Sequence, residues 1–168
     1  MQIRLATAAD CAAIVAIYNQ GIASRTATFE TRPRTMSDIA SWMEELDRYP
    51  VMVATLGSGE VAAWAGLGSY SPRECYAGIA DFSIYVSNAH QGQGLGKPLL
   101  NALIDAAQQA GFWKVTSRVF ADNEGSRRLC RACGFREVGL HLSHARIDGH
   151  WQDVVVVEKL IDANLVLI

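Results

Sequence analysis

Hydrophobic and polar positions along this chain follow two periods, and the points where one gives way to the other outline its elements. Residues 3–6 read as a short strand. Thr7 and Asp10 then supply a helix-start signal, and Ile14, Ile17 and Tyr18 recur at helical spacing, which predicts a first helix ending near Asn19. From Ser24 to Thr35 neither period holds, so a long loop is expected, with Phe29 as its large apolar member. Ser37 is the expected cap of a second helix, which puts Ile39, Trp42, Met43 and Leu46 on one face and closes at Tyr49-Pro50. Residues 51–56 and 61–70 flank Gly57-Ser58-Gly59-Glu60 as an antiparallel hairpin, and 79–86 add a fourth strand. Leu95, Leu99, Leu103, Ile104 and Ala107 mark an amphipathic helix ending at Gly111. A strand over 115–120, a helix over 124–133 and a hairpin of 138–147 with 151–160 across Asp148-Gly149 complete the order.

Strands and helices thus mix without strict alternation, which predicts one α/β domain with a mixed sheet over residues 1–168. The core is expected over 1–161, with 162–168 as an apolar tail. Every residue from Val154 to Val157 is β-branched, so that strand is expected inside the sheet with both faces covered.

Composition narrows the function classes. A length of 168 residues, half of them hydrophobic, supports one full-sized core. The formal net charge of -2 provides no positive field to gather nucleic acid or an anionic membrane, so neither is expected as a partner. No apolar run approaches the roughly 18–20 residues that cross a bilayer, and the first residues lack a basic, then apolar, leader. Cys11, Cys75, Cys130 and Cys133 are too irregularly spaced for a disulfide framework, so a cytoplasmic location is expected. No second pair completes a metal site with Cys130 and Cys133, and no metal is expected.

The most informative segment is the strand 79–86, which feeds a Gly-rich turn that opens directly into the long helix. Glycines at 92, 94 and 96 free the backbone for tight geometry and bare its N–H groups, and a helix N-terminus behind them favours a pyrophosphate. Lys97 adds charge at the rim. A Walker A loop fails because Pro98, not Ser or Thr, follows Lys97. A dinucleotide fingerprint fails on the spacing of Gly92, Gly94 and Gly96. An acyl-CoA loop remains, beside a turn needed only for close packing.

Gln91-Gly92-Gln93-Gly94-Leu95-Gly96 resembles the Q/R-x-x-G-x-G/A signature of the GNAT superfamily of N-acetyltransferases, and Asn123-x-x-Ser126 followed by a helix and Gly134-Phe135 resembles its second cofactor motif. Within that superfamily the chain is similar to the phosphinothricin, methionine sulfoximine and arsinothricin acetyltransferase group. That likeness is carried by Thr28-Phe29-Glu30-Thr31, Arg73-Glu-Cys-Tyr76, Phe82-Ser83-Ile84-Tyr85-Val86 and Trp151-x-Asp153. The resemblance implies a mostly antiparallel central sheet flanked by helices, with splayed middle strands, and a homodimer. It also implies acetyl-CoA, with its pyrophosphate on the amides of Gly92 to Lys97. The pantetheine would pair with Ile84, Tyr85 and Val86, and Asn123 would bond to that arm.

An amine acceptor must lose a proton, and Asp81, acidic in an apolar strand, is the candidate base. The related group generally has Glu there, so a water relay is weighed beside direct contact, as is a structural pairing of Asp81 with an Arg such as Arg118. Cys130 stands about where relatives place a Tyr that protonates the departing thiolate. Arg73 and Tyr76 resemble an R-x-x-Y pair that relatives carry at an anionic acceptor; Phe29 and Glu30, and His144 or Arg146 across a dimer interface, are further substrate candidates. The implied activity is acetylation of the α-amine of a small amino acid or amino-acid-like toxin. A protein N-terminal or polyamine acetyltransferase, or a non-catalytic acyl-CoA sensor, is the alternative.

Overall fold

A computed structural model describes residues 1–165; the last three residues of the expected apolar tail lie outside the described residues. Seven strands form one sheet in the order β1 (Gln2–Leu5), β2 (Val51–Thr55), β3 (Val61–Ser69), β4 (Ile79–Val86), β5 (Lys114–Phe120), β7 (His150–Leu160), β6 (Arg136–Ile147). Every neighbouring pair is antiparallel except β4 with β5. The mixed, mostly antiparallel sheet expected from the sequence is therefore present. The valine run of β7 lies between β5 and β6, as its composition requires, with Val154, Val155 and Val157 buried.

Helices cover both faces. On one, α1 (Cys11–Ser24) and α2 (Met36–Met43) pack Ile14, Ile17, Tyr18 and Ile39 onto Val51, Val53 and Trp64. On the other, α3 (Gly96–Gln109) packs Leu99, Leu100 and Leu103 onto Ala63, Ala65 and Phe82, and α4 (Glu124–Ala132) adds Cys130. Strand alternation decides which residue meets which helix: Val51 and Val53 face α1, whereas Ala54 belongs to the opposite cluster.

Local signals set several boundaries differently from the sequence pattern. Helix α1 continues past Asn19 to Ser24 and stops at Arg25, whose φ of 58° is left-handed. Gly21 does not break it; a Cβ there would fall 2.9 Å from the Tyr85 ring, so that glycine serves the close approach of α1 to β4. Helix α2 is capped by Thr35 rather than Ser37, because Thr35 and Asp38 form a reciprocal capping box. The β6–β7 turn has Asp148 and Gly149 at φ 48° and 84°, the two positive values that a tight hairpin needs.

One half-buried ion pair fixes how β1 enters α1. Asp10, 5% exposed, accepts two bonds from the Arg4 guanidinium at 2.7 and 2.8 Å and one from the Thr7 backbone at 2.8 Å. These bonds, Arg4 foremost, hold the Asp10 carboxyl down at about 2. A depressed carboxylate stabilises the fold above its unfolded value and loses that contribution as the pH falls through its folded one. Asp10→Asn is expected to cost about 2 kcal/mol, lowering Tm by about 4–8 °C near neutrality, with the gap from wild type closing as the pH falls from about 4 toward 2. Thermal unfolding followed across that range checks this, and an unchanged Tm at neutral pH contradicts it.

Candidate active site

Parallel pairing between β4 and β5 covers only Ile79 with Lys114, Ala80 with Val115 and Asp81 with Thr116. On its other edge β4 stays paired to β3 as far as Val86, and β5 stays paired to β7 as far as Phe120. The two strands therefore fork. At the vertex the Ser117 hydroxyl donates to the Phe82 carbonyl at 2.9 Å. Beyond it the inner edge of residues 83–86 has no strand partner, and a cavity of about 490 Å³ opens in the gap.

The cavity brings together many of the residues expected from the sequence. Asp81, Ile84, Tyr85, Phe29, Glu30, Asn123, Ser126 and Cys130 all line it. Helix α4 closes one side, with Asn123 as its cap: Oδ1 accepts from the Ser126 backbone at 3.0 Å, and Nδ2 donates to the Thr26 carbonyl at 3.3 Å. The loop over residues 25–35 closes another side. Its Phe29 ring lies 4.3 Å from that of Phe120 between centroids, Glu30 pairs with Arg34, and Asn19 holds the Arg34 backbone by two bonds. Val86 pairs with Ala63 and does not line the cavity.

The Gly-rich turn follows β4 directly. Gly92 and Gly94 have φ of 74° and 79°, a conformation that strains any side chain. Gly96 answers to packing instead, since a Cβ there would fall 3.1 Å from Leu129. Among the described residues, no backbone N–H from Gln91 to Lys97 donates a hydrogen bond within the protein; the first bond of α3 runs from Leu99 to the Leu95 carbonyl. Gln91 and Gln93 brace the turn through their side chains, bonding Asn88 and the Ala89 carbonyl at 3.2 Å each. Lys97 is exposed at the rim. A row of bare donors at a helix N-terminus, with a lysine beside it, suits a phosphorylated ligand.

Electrostatics concentrate at the vertex. Asp81 Oδ2 pairs with Arg118 at 2.7 Å, while its Oδ1 is buried without a partner. Burial raises the Asp81 carboxyl above its ordinary value, and Arg118 opposes that shift. Burial likewise pushes the Cys130 thiol up to about 12. The phenol of Tyr85 is raised by burial, with Tyr18 adding to the shift.

Arg73 and Tyr76 are not brought to this cavity. Both are exposed around a short 3-10 turn ahead of β4, where Tyr76 packs edge-on against Tyr70. His144 lines its own chain's cavity and stacks on His141 at 4.2 Å, whereas Arg146 lies over Trp151. Tyr18, Thr28 and Ser117 also line the cavity, and none of them was a site candidate from the sequence, Thr28 having entered only as a carrier of the family likeness. Tyr18 has the spacing of an ordinary core position. On β5 only Arg118 had been weighed in the sequence, as a partner of Asp81; Ser117 left no such signal. Among the described residues no cluster of three or more His, Cys, Asp or Glu is arranged to hold a metal ion, and no helix is long and apolar enough to cross a membrane.

Comparison with known proteins agrees with this geometry. Residues 15–135 match the acetyltransferase (GNAT) family. The chain is 36% identical to a phosphinothricin N-acetyltransferase of Streptomyces viridochromogenes over 155 residues, covering 92% of this chain and 84% of that one. It is 32% identical to an L-methionine sulfoximine/L-methionine sulfone acetyltransferase of Pseudomonas aeruginosa over 162 residues, covering 95% and 94%. Its fold superposes with a TM-score of 0.88 on a phosphinothricin acetyltransferase from Sinorhizobium meliloti in complex with AcCoA, at 28% identity over 95% of this chain and 87% of that one. With its forked middle strands, Gly-rich turn and family match over most of its length, the chain belongs to the acetyltransferase (GNAT) family.

Proposed function

We propose that this protein transfers the acetyl group of acetyl-CoA to the α-amine of a small amino acid or an amino-acid-like toxin of the phosphinothricin, methionine sulfoximine or arsinothricin type. The observation that carries the reading is the buried, unpartnered Oδ1 of Asp81 beside Arg118 at the vertex of the fork. An orphaned carboxylate oxygen is costly unless a ligand uses it. An acceptor ammonium supplies the missing donor, and the guanidinium alongside suits the carboxylate of the same zwitterion.

Acetyl-CoA supplies a reactive thioester. Its pyrophosphate fits the donor row of Gly92, Gln93, Gly94, Leu95, Gly96 and Lys97, and its amide-bearing arm fits the unpaired inner edge of β4 at Ile84 and Tyr85, with Val86 continuing that edge beyond the cavity. Asn123 and Ser126 flank that arm at the start of α4. Asp81 takes the amine proton, directly or through a water, because an ammonium has no lone pair to attack with. Arg118 favours the charged form of Asp81 and so opposes the larger effect of burial. Cys130 is assigned to lining the channel: burial pushes its thiol up to about 12, which makes it a poor proton donor to the departing thiolate, and that proton is assigned to water.

Arg118 beside the acceptor favours an amino acid over a polyamine, and the orphaned carboxylate favours an enzyme over a non-catalytic sensor. Phe29 and Glu30 wall the acceptor side. Arg73 and Tyr76, being outside the cavity, are assigned no acceptor contact. Four free cysteines support a cytoplasmic setting. The exposed Leu140, Leu142 and Trp151 of the last hairpin support a homodimer through that face. Leu142, 72% exposed, is the most open of these; Leu142→Asp is expected to halve the sedimenting mass, and a wild-type protein that already sediments as a monomer contradicts the dimer.

Asp81→Asn is expected to lower the acetylation rate at neutral pH by at least about tenfold while acetyl-CoA affinity holds. Because burial raises the Asp81 carboxyl, the wild-type rate falls with decreasing pH from a point above the usual carboxylate range, and that acid limb disappears in the variant. Rate–pH profiles of both proteins check this; an unchanged rate removes Asp81 from the chemistry.

A further inference from the structure

The last hairpin departs from regular pairing at one place. His141 is in register with Val154 and Ala145 with Gln152, so Leu142, Ser143 and His144 of β6 all stand opposite the single β7 residue Asp153. Ser143 takes a left-handed φ of 48° there, and its N–H donates to Asp153 Oδ1 at 2.7 Å. Strand alternation would put residues 141 and 145 on one face and 144 on the other; the bulge undoes this. The exposed His144 ring instead stacks on that of His141, 4.2 Å away between centroids and 20° between planes, and lines the cavity in the fork. The tip of the hairpin is held against the end of α1 by the ion pair of Arg25 with Asp148 at 3.2 Å.

Three nitrogen-bearing side chains line that cavity. Among the described residues Arg118 is bonded to Asp81, and Asn123 to the Ser126 backbone and the Thr26 carbonyl, whereas no hydrogen bond reaches the ring nitrogens of His144. From Arg118 the lining runs along one face of the sheet, through Phe120 two residues on and Val154 opposite it on β7, to His141 opposite Val154 on β6. The Phe29 ring lies 4.3 Å from that of Phe120. The cavity is therefore polar at the vertex, apolar in the middle and polar again at His144. Glu30, the other carboxylate in the lining besides Asp81, is already paired with Arg34.

An acceptor of the class assigned above has the same order of parts: an ammonium and a carboxylate, a short methylene stem, and an oxygen-bearing tetrahedral end. We propose that His144 recognises that end, donating its ring N–H to a phosphinate, sulfoximine or sulfone oxygen, and so selects it over an apolar side chain of the same length. The assignment rests on the acetyl-transfer reading. The imidazole carries a donor in either tautomer, and a donor left unpaired in the bound complex is what rejects the analogue without the oxygen. A bulge that only twists the hairpin has no need to turn a ring with unpartnered nitrogens into the cavity.

Methionine sulfone and methionine isolate the oxygens, since both offer one α-amine, one carboxylate and one chain length. With acetyl-CoA as donor and thiol release as readout, wild-type kcat/KM is expected to favour the sulfone by about tenfold, the scale of one hydrogen bond made or lost. His144→Phe, which keeps a ring against His141 but removes both nitrogens, and His144→Ala are each expected to bring that ratio to about twofold or less. An intrinsic difference between the two amines cancels when the ratio is compared between proteins, and a loss of folded material does not alter it. A wild type without the preference, or a preference that either variant retains, overturns the role of His144 and leaves the acetyl-transfer reading standing. Absence of turnover with any amino acid while acetyl-CoA binds overturns the acetyl-transfer reading and the role of His144 together.

Discussion

Strand β4 keeps one neighbour for all but its first residue and the other for three residues, and the arrangement of the site follows from that difference. Antiparallel pairing with β3 fixes its outer edge, while β5 is drawn away because its far edge is committed to β7 along seven register positions. The internal position of β7, with its buried valines, is what makes that commitment strong. Ser117 bonds the Phe82 carbonyl at the vertex, so the parting begins at a defined residue. Backbone groups beyond it are left without strand partners, and buried or half-buried backbone polar groups are costly unless something pairs with them. A ligand arm with its own amides is the natural complement.

The same geometry concentrates charge. Asp81 is the last β4 residue in register with β5, so its carboxylate stands where the sheet parts, and Arg118 reaches it from the second residue past its partner Thr116. Two opposed influences act on that carboxyl: burial favours its neutral form and the guanidinium favours its charge, with burial the larger. One oxygen is consumed by Arg118 and the other is free. The vertex is thereby an incomplete ion pair rather than a closed one. The loop over residues 25–35, tied to α1 by Asn19 and to α4 by Asn123, walls the opening without filling it.

Much of this was legible in the sequence, and the failures have physical causes. The Gly-rich turn announced itself because left-handed φ at 92 and 94 can be met cheaply only by glycine. Helix α1 outruns its expected end near Asn19 through Gly21, whose role is to let Tyr85 approach the helix, a tertiary fact without a local trace. Ser37 and Thr35 are both plausible caps, and the choice fell to Thr35 because Asp38 can reciprocate from three residues on. Arg73 and Tyr76 entered through likeness to relatives, and their turn holds them exposed, outside the cavity of their own chain.

The central claim is that the fork takes acetyl-CoA and delivers its acetyl group to an amine held at the vertex. The most direct test is thiol release from acetyl-CoA by the purified protein, with and without a panel of small amino acids, methionine sulfoximine, phosphinothricin, polyamines and peptides. The account predicts release that depends on an amino-acid-like acceptor and saturates with it. Release indifferent to every acceptor, or none across the panel although acetyl-CoA is bound, contradicts it.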